Sequence, residues 1–464
     1  MRSWTRLVGL GAAAALVALG AACAQRAEQN PLTAGLIAPG GRGGPNPADD
    51  PDAVVEAALA DVGEYWARTY PEVYGGEFAP ISGGFYAYGP DTGMPPCGDP
   101  PPAYAEIADN AFYCPSDDLI AWDRTRLIPD INQQFGGFTI GIVFAHEYAH
   151  AVQVRAGVTG RTIDLELQAD CFAGAWTADV AAGNSERFSI DEGTLDASVG
   201  GIVAISDIPG TREDDPMAHG SGFDRIGAFQ DGFENGPRRC AERGERRART
   251  VEIPFEEGET ASGGNMALED GPAAPDGVGL LSRIETDLND FYGLLFDELG
   301  QSWTPVEDLV LADPDTDEVS CGGDTLSGDD LRNAARYCED ENVVVVDGAG
   351  LVPELYRIGD FAVAAEIARL WALAAQTELG LDTEGEAASL QADCLTGVWA
   401  FARFPGSGVP PSQLEMSPGD LDEGIMGFLA YDLADEGGTV FERTDALRTG
   451  FLEGYRGCEQ YGPL

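Results

Sequence analysis

The sequence predicts a mainly helical α+β fold, present twice in tandem and cross-linked by disulfides. Three observations predict it. Long segments carry apolar residues at helical spacing, while only short runs read as strands. A series of landmarks recurs in the same order in both halves of the 464 residues. Eight cysteines besides Cys23 fall at matching positions, an even number that suits a disulfide framework in an exported chain.

In chain order, Arg2 and Arg6 precede an alanine-rich apolar run from Leu7 to Ala22, the pattern of a secretory signal over residues 1–23. Export is therefore expected. Cys23 stands where a lipid-modified cysteine would be, although Ala22-Cys23-Ala24 also fits ordinary cleavage. Lipidation is the reading adopted, because the later cysteines pair without Cys23. Membrane contact is expected only through such an anchor, at the outer face of the cell envelope; without it the protein would be secreted. Residues 24–52, rich in Gly, Pro, Ala and Asn, read as a flexible tether.

The first domain is expected over residues 53–245. It opens on an amphipathic helix with Val55, Leu59, Val62 and Trp66 on one face. Residues 246–277 read as a linker, and the second domain, residues 278–464, opens on Ile284, Leu288, Phe291 and Leu295 at the same spacings. Pro90-Asp91-Thr92 recurs as Pro314-Asp315-Thr316. The strand-like Leu119 to Asp123 recurs as Val343 to Asp347, and Leu167-Gln168-Ala169-Asp170-Cys171 as Leu390-Gln391-Ala392-Asp393-Cys394. Gly232-Phe233 before Cys240 recurs as Gly450-Phe451 before Cys458. The repeated positions pair Cys97 with Cys114, Cys171 with Cys240, Cys321 with Cys338 and Cys394 with Cys458. The two halves are expected to pack as a pseudo-dimer.

Formal net charge is −52, with 79 acidic residues, 27 basic ones and no lysine. So negative a field argues against nucleic acid or anionic lipid as partners and favours solubility. The acidic run Asp313-Pro314-Asp315-Thr316-Asp317 fails the calcium-loop pattern, having Glu318 where glycine is required, and reads as a solvated turn.

The chemistry concentrates in Phe144-Ala145-His146-Glu147-Tyr148-Ala149-His150. Four residues apart on a helix, His146 and His150 share a face and can present nitrogens to one ion, with Glu147 beside them. Catalytic zinc takes three protein ligands and keeps a fourth position open, and Glu166 is the best candidate for the third. Asp170, one turn further on, is placed to hydrogen-bond the outer nitrogen of a ligating histidine.

This motif, with Leu165 to Gly174, Phe112-Tyr113-Cys114-Pro115 and His219-Gly220-Ser221 running to Cys240, resembles the bacterial putative neutral zinc metallopeptidase family, whose members resemble glutamate-type zincins. The resemblance covers roughly residues 53–245. It implies a zincin-like domain, one zinc ion on His146, His150 and Glu166, and Glu147 as catalytic carboxylate; it supplies no substrate. Hydrolysis of a peptide or similar amide, by an endopeptidase or amide hydrolase acting on a peptide or protein substrate, is then expected, with Glu147 as general base and either Tyr148 or, preferably, His219 as oxyanion donor. The alternative is a non-catalytic envelope protein with structural zinc, binding another surface component. Aligning Ala145-His146-Glu147 with Ala364-Ala365-Glu366 sets Ala365 for His146, Arg369 for His150, Ser389 for Glu166 and Gly437 for His219. The second half is thus expected to be a degenerate, metal-free repeat in which Glu366 pairs with Arg369.

Overall fold

The computed structural model describes residues 50–243, 248, 250–251, 253, 265–410, 414–431 and 437–464. The expected signal, Cys23 and nearly all of the expected tether lie outside the described residues. The chain divides into two units, with the break between residues 252 and 253. From Met266 onward the stretch read as a linker is anchored in the second unit: its Met266 N–H donates to Asp360 and Leu280 N–H to Ala267 O.

The first unit opens on α1, Pro51–Val73, capped by the Asp50 carboxylate, and it buries Val55, Leu59, Val62 and Trp66 as the periodicity predicts. A three-stranded sheet follows, made of β1 (Gly84–Tyr88), β2 (Ala111–Cys114) and β3 (Leu119–Asp123), with the single-turn α2 (Tyr104–Ile107) before β2. Its order is β1-β3-β2; β1 runs parallel and β2 antiparallel to the buried central β3. The helices α3 (Leu127–Phe135), α4 (Gly137–Ala156), α5 (Thr162–Ala181), α6 (Glu192–Ala204) and α7 (Gly222–Arg243) complete the unit. Almost every residue of α4 before His150 is buried, which suits a helix that is apolar nearly all round.

Close packing of α5 on α7 depends on two glycines. A Cβ at Gly174 would stand 1.9 Å from the Phe229 carbonyl oxygen, and one at Gly232 would stand 1.8 Å from that of Cys171. Cys171 and Cys240 lie at disulfide distance across this helix pair, and so do Cys97 and Cys114 beside the sheet.

The second unit comprises α8 (Leu280–Leu299), β4 (Asp308–Ala312), β5 (Glu318–Cys321), β6 (Asp324–Ser327), β7 (Ala335–Cys338), β8 (Val343–Asp347), α9 (Leu351–Tyr356), α10 (Asp360–Glu378), α11 (Glu386–Arg403), α12 (Asp420–Ala430) and α13 (Val440–Glu453). Its main sheet has order β4-β8-β7 with the same parallel and antiparallel pairings, and β5 and β6 add a hairpin. Ile284, Leu288, Phe291 and Leu295 are buried. Gly397 and Gly450 permit the same close approach, here of α11 to α13, and Cys321–Cys338 and Cys394–Cys458 lie at disulfide distance. The Asp313 to Asp317 run is a turn closed by its own carboxylates.

Buried contacts correct the register expected between α4 and α10. Phe138 stacks on Trp176 at 5.3 Å, and Phe361 on Trp399 at 5.7 Å. The Gln153 amide donates to Leu165 O and to Gln168, and the Gln376 amide to Ala388 O and to Gln391, across identical separations of 12 and 15 residues. Matching these contacts at both ends of the helix places Arg369 opposite His146, Leu370 opposite Glu147 and Leu373 opposite His150. The Ala-x-Glu match that equated Ala365 with His146 and Glu366 with Glu147 is therefore one helical turn out of register. A one-turn slip preserves which face of a helix is apolar, so periodicity could not expose it. Ser389 keeps its place opposite Glu166, since Leu167 to Cys171 and Leu390 to Cys394 lie in register along α5 and α11.

Candidate metal centre

His146 and His150 lie on successive turns of α4, and Glu166 reaches them from α5. The two Nε2 atoms are 3.2 Å apart; Glu166 Oε2 stands 3.1 Å from His146 Nε2, and Glu166 Oε1 3.5 Å from His150 Nε2. Ligands about 2.0–2.1 Å from one tetrahedral ion sit roughly 3.3–3.4 Å from each other, so this spacing fits zinc.

The outer nitrogens settle the chemistry of that triangle. His146 Nδ1 lies 2.7 Å from Asp170 Oδ1, and His150 Nδ1 lies 2.9 Å from Gln153 Oε1. Both partners are acceptors, the glutamine because its amide nitrogen already donates to Leu165 O and Gln168. Each Nδ1 must therefore carry hydrogen. In the neutral imidazole that leaves both Nε2 lone pairs facing each other and a carboxylate, with no proton between them. Such a convergence of acceptors calls for a cation.

Asp170 also pairs with Arg225 of α7, at 2.8 and 2.9 Å. Burial alone would raise this carboxyl, but the guanidinium outweighs it and the pKa falls to about 2. Burial would likewise raise Glu166, yet the histidines around it, His150 and His219 foremost and His146 by hydrogen bonding, hold it well below its ordinary value. Glu147 behaves in the opposite way: burial pushes it up, only partly opposed by the histidines, while the Tyr113 N–H of β2 donates to its Oε2 at 2.8 Å. A cavity of about 20 Å³, room for roughly one water, touches His146, Glu147, Asp170 and Arg225 and is otherwise walled by aliphatic side chains such as Ile142 and Ile202.

His219 is buried just before α7. Asp207 accepts its backbone N–H at 2.8 Å and lies 3.3 Å from its Nδ1. Tyr148 is directed elsewhere, for a Cβ added at Gly63 of α1 would come within 3.0 Å of its hydroxyl. Sequence reasoning missed Arg225, Gln153, Asp207 and the Tyr113 N–H. Two of them carried a usable signal: Gln153 recurs as Gln376, and Arg225 as Arg443, each with the same kind of partner. Asp207 and the backbone of Tyr113 carried none.

In the second unit Leu373 and Ser389 stand at the positions that match His150 and Glu166. Arg369 extends instead to Glu366 Oε1 at 3.2 Å, while Arg443 holds Asp393 at 2.8 Å.

Residues 40–242 match the model of the family described as putative neutral zinc metallopeptidase, and the matched residues lie within the first unit. Among curated proteins, the chain is similar to the uncharacterised protein YpfJ of Escherichia coli strain K12, 28% identical over 155 residues, which cover 28% of this chain and 52% of that protein. It is also similar to the uncharacterised protein Rv2575 of Mycobacterium tuberculosis strain H37Rv, 30% identical over 162 residues, covering 29% and 54%. The chain thus spans about half the length of the curated relatives it matches. No solved structure matches it.

Proposed function

We propose that the first unit is a zinc-dependent hydrolase of peptide or similar amide bonds, with one zinc per chain on His146, His150 and Glu166. The observation that carries this reading is the close triangle of two imidazole nitrogens and the Glu166 carboxylate with a buried carboxylate, Glu147, beside it. Bound zinc would supply Lewis acidity to a water and to the scissile carbonyl. Glu147 takes the water's proton and delivers it to the leaving amine; the burial that raises its proton affinity makes it a better base. The Tyr113 N–H fixes one of its oxygens. Asp170 and Gln153 hold the two imidazoles in the tautomer that leaves Nε2 open. His219, oriented by Asp207, donates to the oxyanion.

The zincin-like domain is, on this reading, tandemly duplicated, and the second copy has lost the zinc ligands and the base. Four cysteine pairs at disulfide distance support export to an oxidising compartment, with Cys23 as the lipid anchor. The test is peptide hydrolysis by the mature protein beside Glu147→Gln. The variant is expected to keep its zinc and lose at least about a hundredfold in turnover; undiminished hydrolysis would sink the mechanism. His219→Ala should lower turnover with zinc retained, and loss of zinc instead would make His219 a ligand.

A further inference from the structure

A second group of candidate ligands lies in the second unit, away from anything inherited from the zinc motif. Asp360, Asp420 and Glu423 bring carboxylate oxygens within 4.8 Å of one another. They are 8%, 4% and 2% exposed, and no arginine among the described residues pairs with any of them. The three converge because two helices begin here: Asp360 is the first residue of α10 and Asp420 the first of α12, with Glu423 one turn on.

Backbone and hydroxyl donors satisfy part of this charge. Met266 N–H donates to Asp360 Oδ2 at 2.6 Å and Phe361 N–H to Glu423 Oε2 at 3.0 Å. Ser417 donates to Asp420 through N–H at 2.8 Å and Oγ at 2.6 Å. With all three carboxylates ionised, Asp360 Oδ1 is buried without a hydrogen-bond donor and faces the Glu423 carboxylate as its neighbour. An unmade bond at a buried carboxylate oxygen costs more than at a neutral acceptor. The approach is also sterically prepared, since a Cβ at Gly359 would fall 1.8 Å from the Glu423 carboxylate carbon.

We propose that Asp360, Asp420 and Glu423 form a calcium site that fastens the starts of α10 and α12 together. Three carboxylates confined without a counter-charge repel one another, and a divalent ion converts that repulsion into a cross-link. The donor set is all oxygen, which selects hard cations over zinc. Calcium is favoured over magnesium because the site is built from buried protein oxygens, whereas magnesium usually retains several waters. The second unit is then free of zinc without being free of metal.

The test is calcium binding by the full-length, zinc-loaded protein at about 0.15 M KCl, where diffuse attraction to the acidic surface is screened, read by equilibrium dialysis and by thermal unfolding. Wild type is expected to take up one calcium per chain that Glu423→Gln lacks. Calcium at about 1 mM should raise the unfolding midpoint of wild type by about 3 °C or more over a chelator control, and leave Glu423→Gln unmoved. Should that variant fail to fold, Asp360→Asn, which retains an oxygen for the Met266 N–H, is measured in its place. Equal uptake by wild type and variant would mark the binding as adventitious and overturn the site. A wild type indifferent to calcium, whose carboxylates simply share protons, would overturn it equally.

Discussion

His146 and Arg369 occupy matching places on α4 and α10, and what surrounds each separates the groups assigned to the proposed zinc centre from those that both units share. Around His146 stand His150, Glu166 and Glu147; opposite them in the second unit stand Leu373, Ser389 and Leu370. The pair behind them is kept, as Asp170 with Arg225 in one unit and Asp393 with Arg443 in the other. A buried ion pair is hard to lose one member at a time, because the survivor is left as an uncompensated charge. On the proposed reading, a position that faces no ion carries no such constraint. The guanidinium of Arg369 needs its own partner, and Glu366 supplies one from the preceding turn, outweighing the burial that would otherwise lower its pKa.

The sharpest way to break this comparison is to cut the retained pair where no ligand depends on it. Asp393→Asn is expected to destabilise the second unit by about 3–5 kcal/mol while leaving zinc content and hydrolysis unchanged, as followed by denaturant unfolding beside metal analysis. A loss of zinc would mean that the second unit supports the first unit's centre. Asp170→Asn should act on the ion as well as on the fold. Asparagine has one acceptor oxygen where the carboxylate serves both His146 Nδ1 and Arg225, and zinc affinity is expected to fall roughly 10–100-fold in competition with a chelator.

The smallest effect is the pH response of Asp170 in the metal-free chain. Its folded pKa of about 2 lies below the ordinary value of 3.8, so its contribution is present above the unfolded pKa and is lost as pH falls from about 4 towards 2. The loss should amount to about 2 kcal/mol. Metal-free Asp170→Asn should show a flatter acid limb in the same titration, and an unchanged limb would remove Asp170 from the explanation.

Much of this arrangement was legible in the sequence because it depends on short-range periodicity. His146 and His150 share a face by helical spacing alone, and the stripes of α1 and α8 name their own buried residues. The cysteine pairs followed from positions that recur. What could not be read is what depends on contact between distant segments. Arg225 meets Asp170 from 55 residues away, and the Tyr113 N–H meets Glu147 from 34. The register error at Ala365 has the same origin, for an Ala-x-Glu match one turn away looks as good as the true one until Gln376 is seen to contact Gln391.

The central claim is that the acceptor triangle of the first unit holds the chain's zinc and that the second unit holds none. Zinc analysis of the purified full-length protein beside Glu166→Ala tests it most directly. One zinc per chain is expected in wild type and none in the variant; zinc retained by Glu166→Ala, or two zinc ions in wild type, would contradict it.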